Sequence, residues 1–184
     1  MFPDIDVAED LRLTKIQAND SIRLFSLVDS NRNYLREWLP WVDFNTTEDD
    51  SKEFIARSEK LADEKKGVVY GIRHNADLVG IIGFNYIDYF HRICEIGYWL
   101  DAQCQGQGIV SRSTEALIEF AFEDLDMNKV CIPVATENSS SRAIPERLGC
   151  SIEGTSREAE WLYDHFVDHV LYSLLRSEWK SGDA

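Results

Sequence analysis

Hydrophobic residues recur along this chain with two different spacings, and the spacing predicts its helices and strands. Residues 11–16 alternate between apolar and polar side chains, as a strand with one buried face does. After them, apolar residues recur every three or four positions, which predicts helices. We expect these helices at residues 20–28, capped by Asn19 or Asp20, and at 34–39 and 49–65.

The two-residue period returns after residue 67. Strands are predicted at 68–73, 78–85 and 93–100, and their short links imply an antiparallel meander. A helix at 109–124, a strand at 129–135, a helix at 138–148 and two strands between 150 and 175 complete the order. Pro133 indicates a bulge or an unpaired position in its strand. The chain is therefore expected to be one α/β (α+β) domain over 1–184, with a mostly antiparallel sheet and one central parallel β-α-β step.

Composition narrows the range of partners. The 184 residues include 33 Asp and Glu against 19 Lys and Arg, giving a net charge of −14, and 44% are hydrophobic. Such a surface repels nucleic acid, and it either serves solubility alone or attracts a cationic acceptor. No membrane span or secretion signal is evident, so a cytoplasmic protein is expected. The four cysteines form no C-x-x-C pair and the four histidines are scattered, so no metal site is expected.

The predicted crossover helix opens with two glycines, Gly106 and Gly108. The first N–H groups of a helix are unpaired, and glycine allows a phosphate to approach them closely. Arg112, one turn later, could add positive charge. The plain alternative is a tight turn without a ligand, since two glycines alone are a weak signal.

Two other phosphate-binding motifs also place glycines before a helix. A nucleoside-triphosphate loop is excluded, because no Gly-Lys-Ser/Thr sequence occurs in the chain. A dinucleotide-binding turn would have Ser111 in its third glycine position and Glu137 as its ribose-binding acid. The meander upstream argues against that fold, which stays open as an alternative.

Enzymes that bind acyl-CoA are a third class of protein with such a phosphate-binding turn. Gln103-x-x-Gly106-x-Gly108 resembles the Q/R-x-x-G-x-G/A pyrophosphate motif of the GNAT N-acetyltransferases. Residues 96–100 and 137–149 resemble the RimL-type branch of that family, the ribosomal-protein-serine acetyltransferases. The resemblance covers residues 11–179. It implies the GNAT fold, acetyl-CoA as co-substrate and no metal.

The resemblance also implies the residues that hold the cofactor. The glycine turn would bind the pyrophosphate of CoA, and the strand before it would pair with the pantetheine arm. A backbone N–H near Leu100 would face the thioester oxygen. The implied cofactor-binding residues are Tyr98, Trp99, Leu100, Gln105, Gly106, Gln107, Gly108, Ile109, Val110, Asn138 and Ser141.

In this family an amine attacks the thioester directly. By resemblance, Glu160 would be the base that deprotonates the amine and Ser141 the acid that serves the departing thiolate. Glu158, expected on the same strand face, is a rival base, and both carboxylates could be merely exposed. A tyrosine acid is not expected, because no tyrosine lies near Cys150 in the sequence. Asn138 and Ser141 could equally be plain helix-capping residues.

The acceptor is the open question at this level. Trp38 and Trp41 are expected to form a wall of its site, with the acidic residues 43–50 nearby, unless the two tryptophans only fill the core. The favoured acceptor is a protein N-terminal α-amino group, such as that of a ribosomal protein. The alternatives are a small amine (polyamine, amino acid or aminoglycoside) and a CoA-binding sensor without catalysis. A homodimer through the last strands is also expected.

Overall fold

The structure, a computed structural model, describes residues 2–179, and within them eight strands form one sheet. The strands are β1 (Ile5–Ala8), β2 (Leu11–Lys15), β3 (Val68–His74), β4 (Asp77–Asp88), β5 (Ile93–Leu100), β6 (Lys129–Ala135), β7 (Ser151–Leu162) and β8 (His165–Leu175). The helices are α1 (Ser21–Ser30), α2 (Arg32–Arg36), α3 (Glu48–Asp63), α4 (Ile109–Glu123) and α5 (Ser139–Arg147).

The sheet confirms the predicted topology. Its strand order is β1-β2-β3-β4-β5-β6-β8-β7. Across residues 2–179 every neighbouring pair is antiparallel except β5 and β6, which are joined by α4. The meander of β3, β4 and β5 is therefore confirmed, and so is the single parallel step. A doubly wound dinucleotide-binding sheet, which needs several parallel pairs, is excluded for this part of the chain.

Two details depart from the predictions, and one cannot be compared. The short edge strand β1 was missed, because four residues show too little alternation to predict a strand. Helix α2 ends at Arg36, so Leu39, the predicted last residue of this helix, lies beyond it. Met1 and residues 180–184 of the predicted domain lie outside the described residues.

Helices cover both faces of the sheet and create two apolar layers. On one face α4 packs Leu117 and Phe120 against strand residues such as Phe84. On the other face α1 and α3 contribute Leu24 and Ile55 to a second cluster. Successive residues of β5 point to opposite faces. Tyr98 consequently joins the α4 side, whereas Trp99 joins the side of α1 and α3.

The parallel strands β5 and β6 separate after a short contact, leaving a gap that we call the wedge. They pair only where Ile93–Glu95 meets Lys129–Cys131, so residues 96–100 and 132–135 face each other without pairing. Pro133 lies on the wedge side of β6. The N–H of Lys129 donates to the Arg92 carbonyl, on the side of β5, whereas the N–H of Thr136 donates to the Asp168 carbonyl, on the side of β8. Because these directions alternate along a strand, the backbone groups of the odd-numbered residues of β6 point toward β5.

The position of Pro133 settles the two predictions made for it. The pairing of β6 with β8 runs without a register shift, so there is no bulge at Pro133. Its missing N–H faces the wedge, where no strand is paired with it. The proline thus costs the sheet no hydrogen bond.

Candidate active site

The backbone of β5 presents polar groups to the wedge. Asp101 N–H donates to Val79 of β4, so the odd-numbered residues of β5 face β4. The N–H and C=O groups of Ile96, Tyr98 and Leu100 therefore point into the wedge, while those of Trp99 point to β4. An extended chain lying in the wedge would meet the edge of a strand with unpaired backbone groups.

The glycine turn follows the wide end of the wedge. Gly106 and Gly108 have φ values of +74° and +72°, the left-handed region that favours glycine. A Cβ built on either residue would meet no protein atom within 4 Å, so the turn borders open space. Gly108 is the N-cap of α4 and has no capping side chain, and the first turn of α4 carries no acidic residue. The free N–H groups at this end suit an anion.

Positive charge reaches this turn from a different residue than predicted. Arg112 makes a two-point salt bridge with Asp10, at 2.8 and 3.1 Å, and is thereby directed away from an anion role. Arg147 of α5 instead donates to the Ser111 hydroxyl at 2.7 Å, which places a guanidinium at the first turn of α4. The sequence alone could not show this contact, because 36 residues separate the partners.

Helix α5 begins beside the wedge with a fixed first turn. The Asn138 side chain caps it by accepting from the N–H of Ser141 at 3.0 Å, as the capping prediction required. The Tyr98 hydroxyl donates to the Ser141 carbonyl oxygen at 3.1 Å, and the Ser141 hydroxyl lies 3.3 Å from the Tyr98 oxygen. These contacts run from β5 to α5 and bridge the wedge. A tyrosine thus stands beside Ser141, although none was expected.

A cavity of about 660 Å³ opens on the face of the sheet that carries Trp99. Strands β4 and β5 form its floor, and α1, α3 and the segment 39–45 form its walls. Its lining includes Tyr98 and Trp99 of the wedge strand and Glu160 of β7. The cavity therefore connects a carboxylate to the edge of the wedge.

The aromatic wall is partly as predicted. Trp41 lines the cavity, and its ring lies 6.2 Å from that of Trp99 between centroids. Trp38 is half-buried in the turn after α2 and is not among the lining residues. Phe44, which was not predicted, lines the cavity with 79% of its surface exposed. The Tyr163 hydroxyl donates to the Leu39 carbonyl at 2.6 Å and thereby ties this wall to the β7–β8 turn.

The acidic segment 43–50 is mostly committed to structure. Asp43 makes a two-point contact with Arg36. Asp50 caps α3 by accepting from Thr46 and Thr47, and these hydrogen bonds lower its pKa. Asp50 nevertheless lines the cavity. Three carboxylates, those of Asp50, Glu53 and Glu160, stand there against one guanidinium, so the cavity is suited to a cation.

Comparison with known proteins identifies the family. The family model described as "Acetyltransferase (GNAT) domain" matches residues 10–151. The chain belongs to the GNAT acetyltransferase family. It is 31% identical over 175 residues to the ribosomal-protein-serine acetyltransferase of Escherichia coli (strain K12), covering 95% of this chain and 98% of that protein.

Solved structures agree with the family and its cofactor. RimL, described as a ribosomal L7/L12 alpha-N-protein acetyltransferase in complex with coenzyme A, superposes with a TM-score of 0.90 at 27% identity, covering 94% of this chain and 97% of that one. The microcin C7 self-immunity acetyltransferase MccE, in complex with acetyl-CoA and AMP, gives 0.89 at 28%, with 93% and 95% covered. This GNAT protein is therefore an acetyl-CoA-dependent N-acetyltransferase, which excludes the non-catalytic sensor.

The surroundings of Glu160 distinguish it from its rival. Glu160 is 32% exposed at the cavity, and its Oε2 lies 3.5 Å from Nε2 of His169. The expectation that Glu158 shares its face is wrong, because the register shifts between Ser156 and Glu160. Glu158 sits in this bulge with a φ of +49° and lies outside the cavity lining. A bulge breaks the alternation on which the sequence argument relied.

His169 was not predicted as a neighbour of Glu160. It lies two residues beyond Val167, the partner of Glu160 in β8, and this pairing appears only when the two strands are placed side by side. One cysteine, Cys104, lies beside the glycine turn. Burial raises the pKa of its thiol, which disfavours a thiolate and hence an acyl-enzyme.

Among residues 2–179 no cluster of His, Cys, Asp or Glu is arranged to hold a metal, and no helix there is long and apolar enough to cross a membrane.

Proposed function

We propose that this acetyltransferase transfers the acetyl group of acetyl-CoA to the N-terminal α-amino group of a protein, by direct attack within a ternary complex. The cavity that joins Glu160 to the wedge strand carries the proposal. It gives an amine and a thioester a common space, with a carboxylate on the amine's side. No residue has to store the acetyl group.

Acetyl-CoA would lie along the wedge with its pyrophosphate on the glycine turn. The N–H groups from Gly106 to Val110, together with the open space beside Gly106 and Gly108, suit the diphosphate, whereas the Gln105 N–H already donates to the Ala102 carbonyl. The pantetheine arm would pair with the unpaired backbone of Tyr98 and Leu100, near Asn138. The N–H of Leu100 points into the wedge and would donate to the thioester oxygen as negative charge develops on it.

The chemistry needs three proton movements. An α-amine bound as ammonium loses a proton to Glu160, directly or through water, and its nitrogen then attacks the thioester carbon. The C–N bond forms and the C–S bond breaks. The Ser141 hydroxyl gives its proton to the departing thiolate and regains one from the new amide nitrogen, which loses its second proton in this step. The products are an amide and CoA. The location of Glu160 in the cavity lining, beside His169, supports this role in the first step.

The walls of the cavity support a peptide acceptor. Its acidic lining favours a cationic amine, and Trp41 with the exposed Phe44 offers apolar surface beyond the amine. A polyamine would use the charge but not the aromatic surface. The near full-length similarity to a ribosomal-protein-serine acetyltransferase points the same way, and we propose a ribosomal protein N-terminus as the acceptor.

Turnover measured by release of free CoA thiol tests both parts of the proposal. Peptides with a free N-terminal serine or alanine should be acetylated faster than spermidine, amino acids or aminoglycosides at equal concentration. Glu160→Gln should lower kcat by about a hundredfold or more, and the matched variant Glu158→Gln should stay within about twofold of the wild type. Equal losses in the two variants, or a preference for a small amine, would contradict the proposal.

A further inference from the structure

Helix α5 contains a proline where its hydrogen-bond ladder needs a donor. In an α-helix the N–H of residue i donates to the carbonyl of residue i−4. Residue 145 of α5 is a buried proline, which has no N–H, so the Ser141 carbonyl lacks its intrahelical partner. An unpaired carbonyl at the start of a packed helix destabilises the fold.

Tyr98 supplies the donor that Pro145 cannot. Its hydroxyl donates to the Ser141 carbonyl oxygen at 3.1 Å and lies 3.3 Å from the Ser141 hydroxyl. One phenol oxygen therefore contacts both the backbone and the side chain of the same serine. Burial raises the pKa of Tyr98, so the phenol keeps its proton and remains a donor throughout the physiological range.

We propose that Tyr98 is a positioning residue that holds the Ser141 hydroxyl at the wedge, an arrangement made possible by Pro145. The inference rests on the role proposed above for Ser141. The phenol donates its proton to the Ser141 carbonyl, so its oxygen can accept from the Ser141 hydroxyl. This second hydrogen bond fixes the side-chain rotamer of Ser141. The serine hydroxyl then needs only to rotate its proton toward the departing sulfur. The tyrosine acts through the serine and does not itself protonate the thiolate.

The alternative is a purely structural role, in which Tyr98 only satisfies the free carbonyl. Pro145→Ala separates the two roles, because alanine restores the missing N–H of α5 while keeping both hydroxyl groups. If Tyr98 were structural, Pro145→Ala would make it dispensable. If Tyr98 positions the serine, Tyr98→Phe lowers kcat even when Pro145→Ala has supplied the missing N–H of the helix.

The experiment compares kcat, KM for acetyl-CoA and unfolding free energy in five variants with those of the wild type. They are Tyr98→Phe, Pro145→Ala, the double variant of these two, Ser141→Ala, and Ser141→Ala combined with Tyr98→Phe. Tyr98→Phe should lower kcat about tenfold with KM within about twofold. The Tyr98→Phe/Pro145→Ala variant should regain stability but keep the low kcat. In the Ser141→Ala background, Tyr98→Phe should lower kcat no further.

Two results would overturn the inference alone. The first is a wild-type kcat in Tyr98→Phe/Pro145→Ala, which would leave Tyr98 a structural role only. The second is multiplicative losses for Tyr98→Phe and Ser141→Ala, which would make the two residues independent. A wild-type kcat in Ser141→Ala would instead refute the proposed role of the serine, and the inference would fall with it. Calorimetric titration with CoA checks that the cofactor still binds to each variant.

Discussion

Replacing Gly106 by alanine separates the cost to the fold from the cost to cofactor binding. Gly106 has a φ of +74°, where an alanine loses about 1–2 kcal/mol of unfolding free energy. The added Cβ would meet no protein atom within 4 Å, so no clash enlarges this loss. The variant should therefore fold, with a free energy of unfolding lower by that amount.

The effect on CoA should be larger than the effect on the fold. The open space beside Gly106 is where we place the pyrophosphate, and a methyl group there would push the phosphate oxygens away from the N–H groups. A hydrogen bond to a charged group contributes about 1.5–3 kcal/mol. Losing one such bond raises the Kd for CoA about tenfold to a hundredfold.

Gly154→Ala is the matched control, because Gly154 also has a positive φ, +152°, and open space around its Cβ position. It lies on the edge strand β7, away from the glycine turn, and its replacement costs about 1–3 kcal/mol. Urea unfolding and calorimetric titration with CoA measure the two effects. Both variants should lose stability, and only Gly106→Ala should lose affinity. A wild-type Kd for Gly106→Ala, or equal losses of affinity in both variants, would refute the placement of the pyrophosphate.

Two further predictions concern the acceptor and the pH dependence of stability. Phe44→Ala should raise the KM for peptide acceptors about fivefold and leave the KM for a single amino-acid amide unchanged. Steady-state assays with both acceptors measure this, and equal changes in the two KM values would contradict a contact between Phe44 and the peptide beyond its amine. Arg112 lowers the pKa of Asp10 to about 2 from the ordinary 3.8, so the stabilisation by Asp10 is complete above the higher value and lost as pH falls toward the lower one. Urea unfolding between about pH 5 and about pH 2 should show the wild type losing its advantage over Asp10→Asn, and a constant difference would contradict this reasoning.

Local patterns accounted for most of the fold. The long helices α3 and α4 and the strands β3 to β6 carry strong periodicity, and their predicted ends agree with the structure within a few residues. The glycine turn was also visible, because a left-handed backbone conformation restricts the residue type at that one position. These features depend on neighbours in sequence, and the sequence therefore predicts them.

The contacts that complete the site were not predictable in this way. Arg112 was expected near an anion, yet Asp10, 102 residues away, binds it. Glu158 was expected on the face of Glu160, yet a bulge in β7 between Ser156 and Glu160 separates the two. Strand register and bulges are set by packing of the whole sheet. A sequence pattern gives the side on which a residue lies only while the alternation is unbroken.

Two prolines near the wedge show that the effect of a missing backbone N–H depends on where the fold places it. Pro133 lies in a strand and Pro145 in a helix, and each removes an N–H that the regular element would use. The N–H missing at Pro133 faces the unpaired gap, so the sheet loses nothing. The N–H missing at Pro145 frees the Ser141 carbonyl for Tyr98 of the opposite strand. A missing backbone N–H therefore has two different effects here. At Pro133 it leaves the wedge side of β6 without a donor, and at Pro145 it lets Tyr98 of β5 donate to the Ser141 carbonyl.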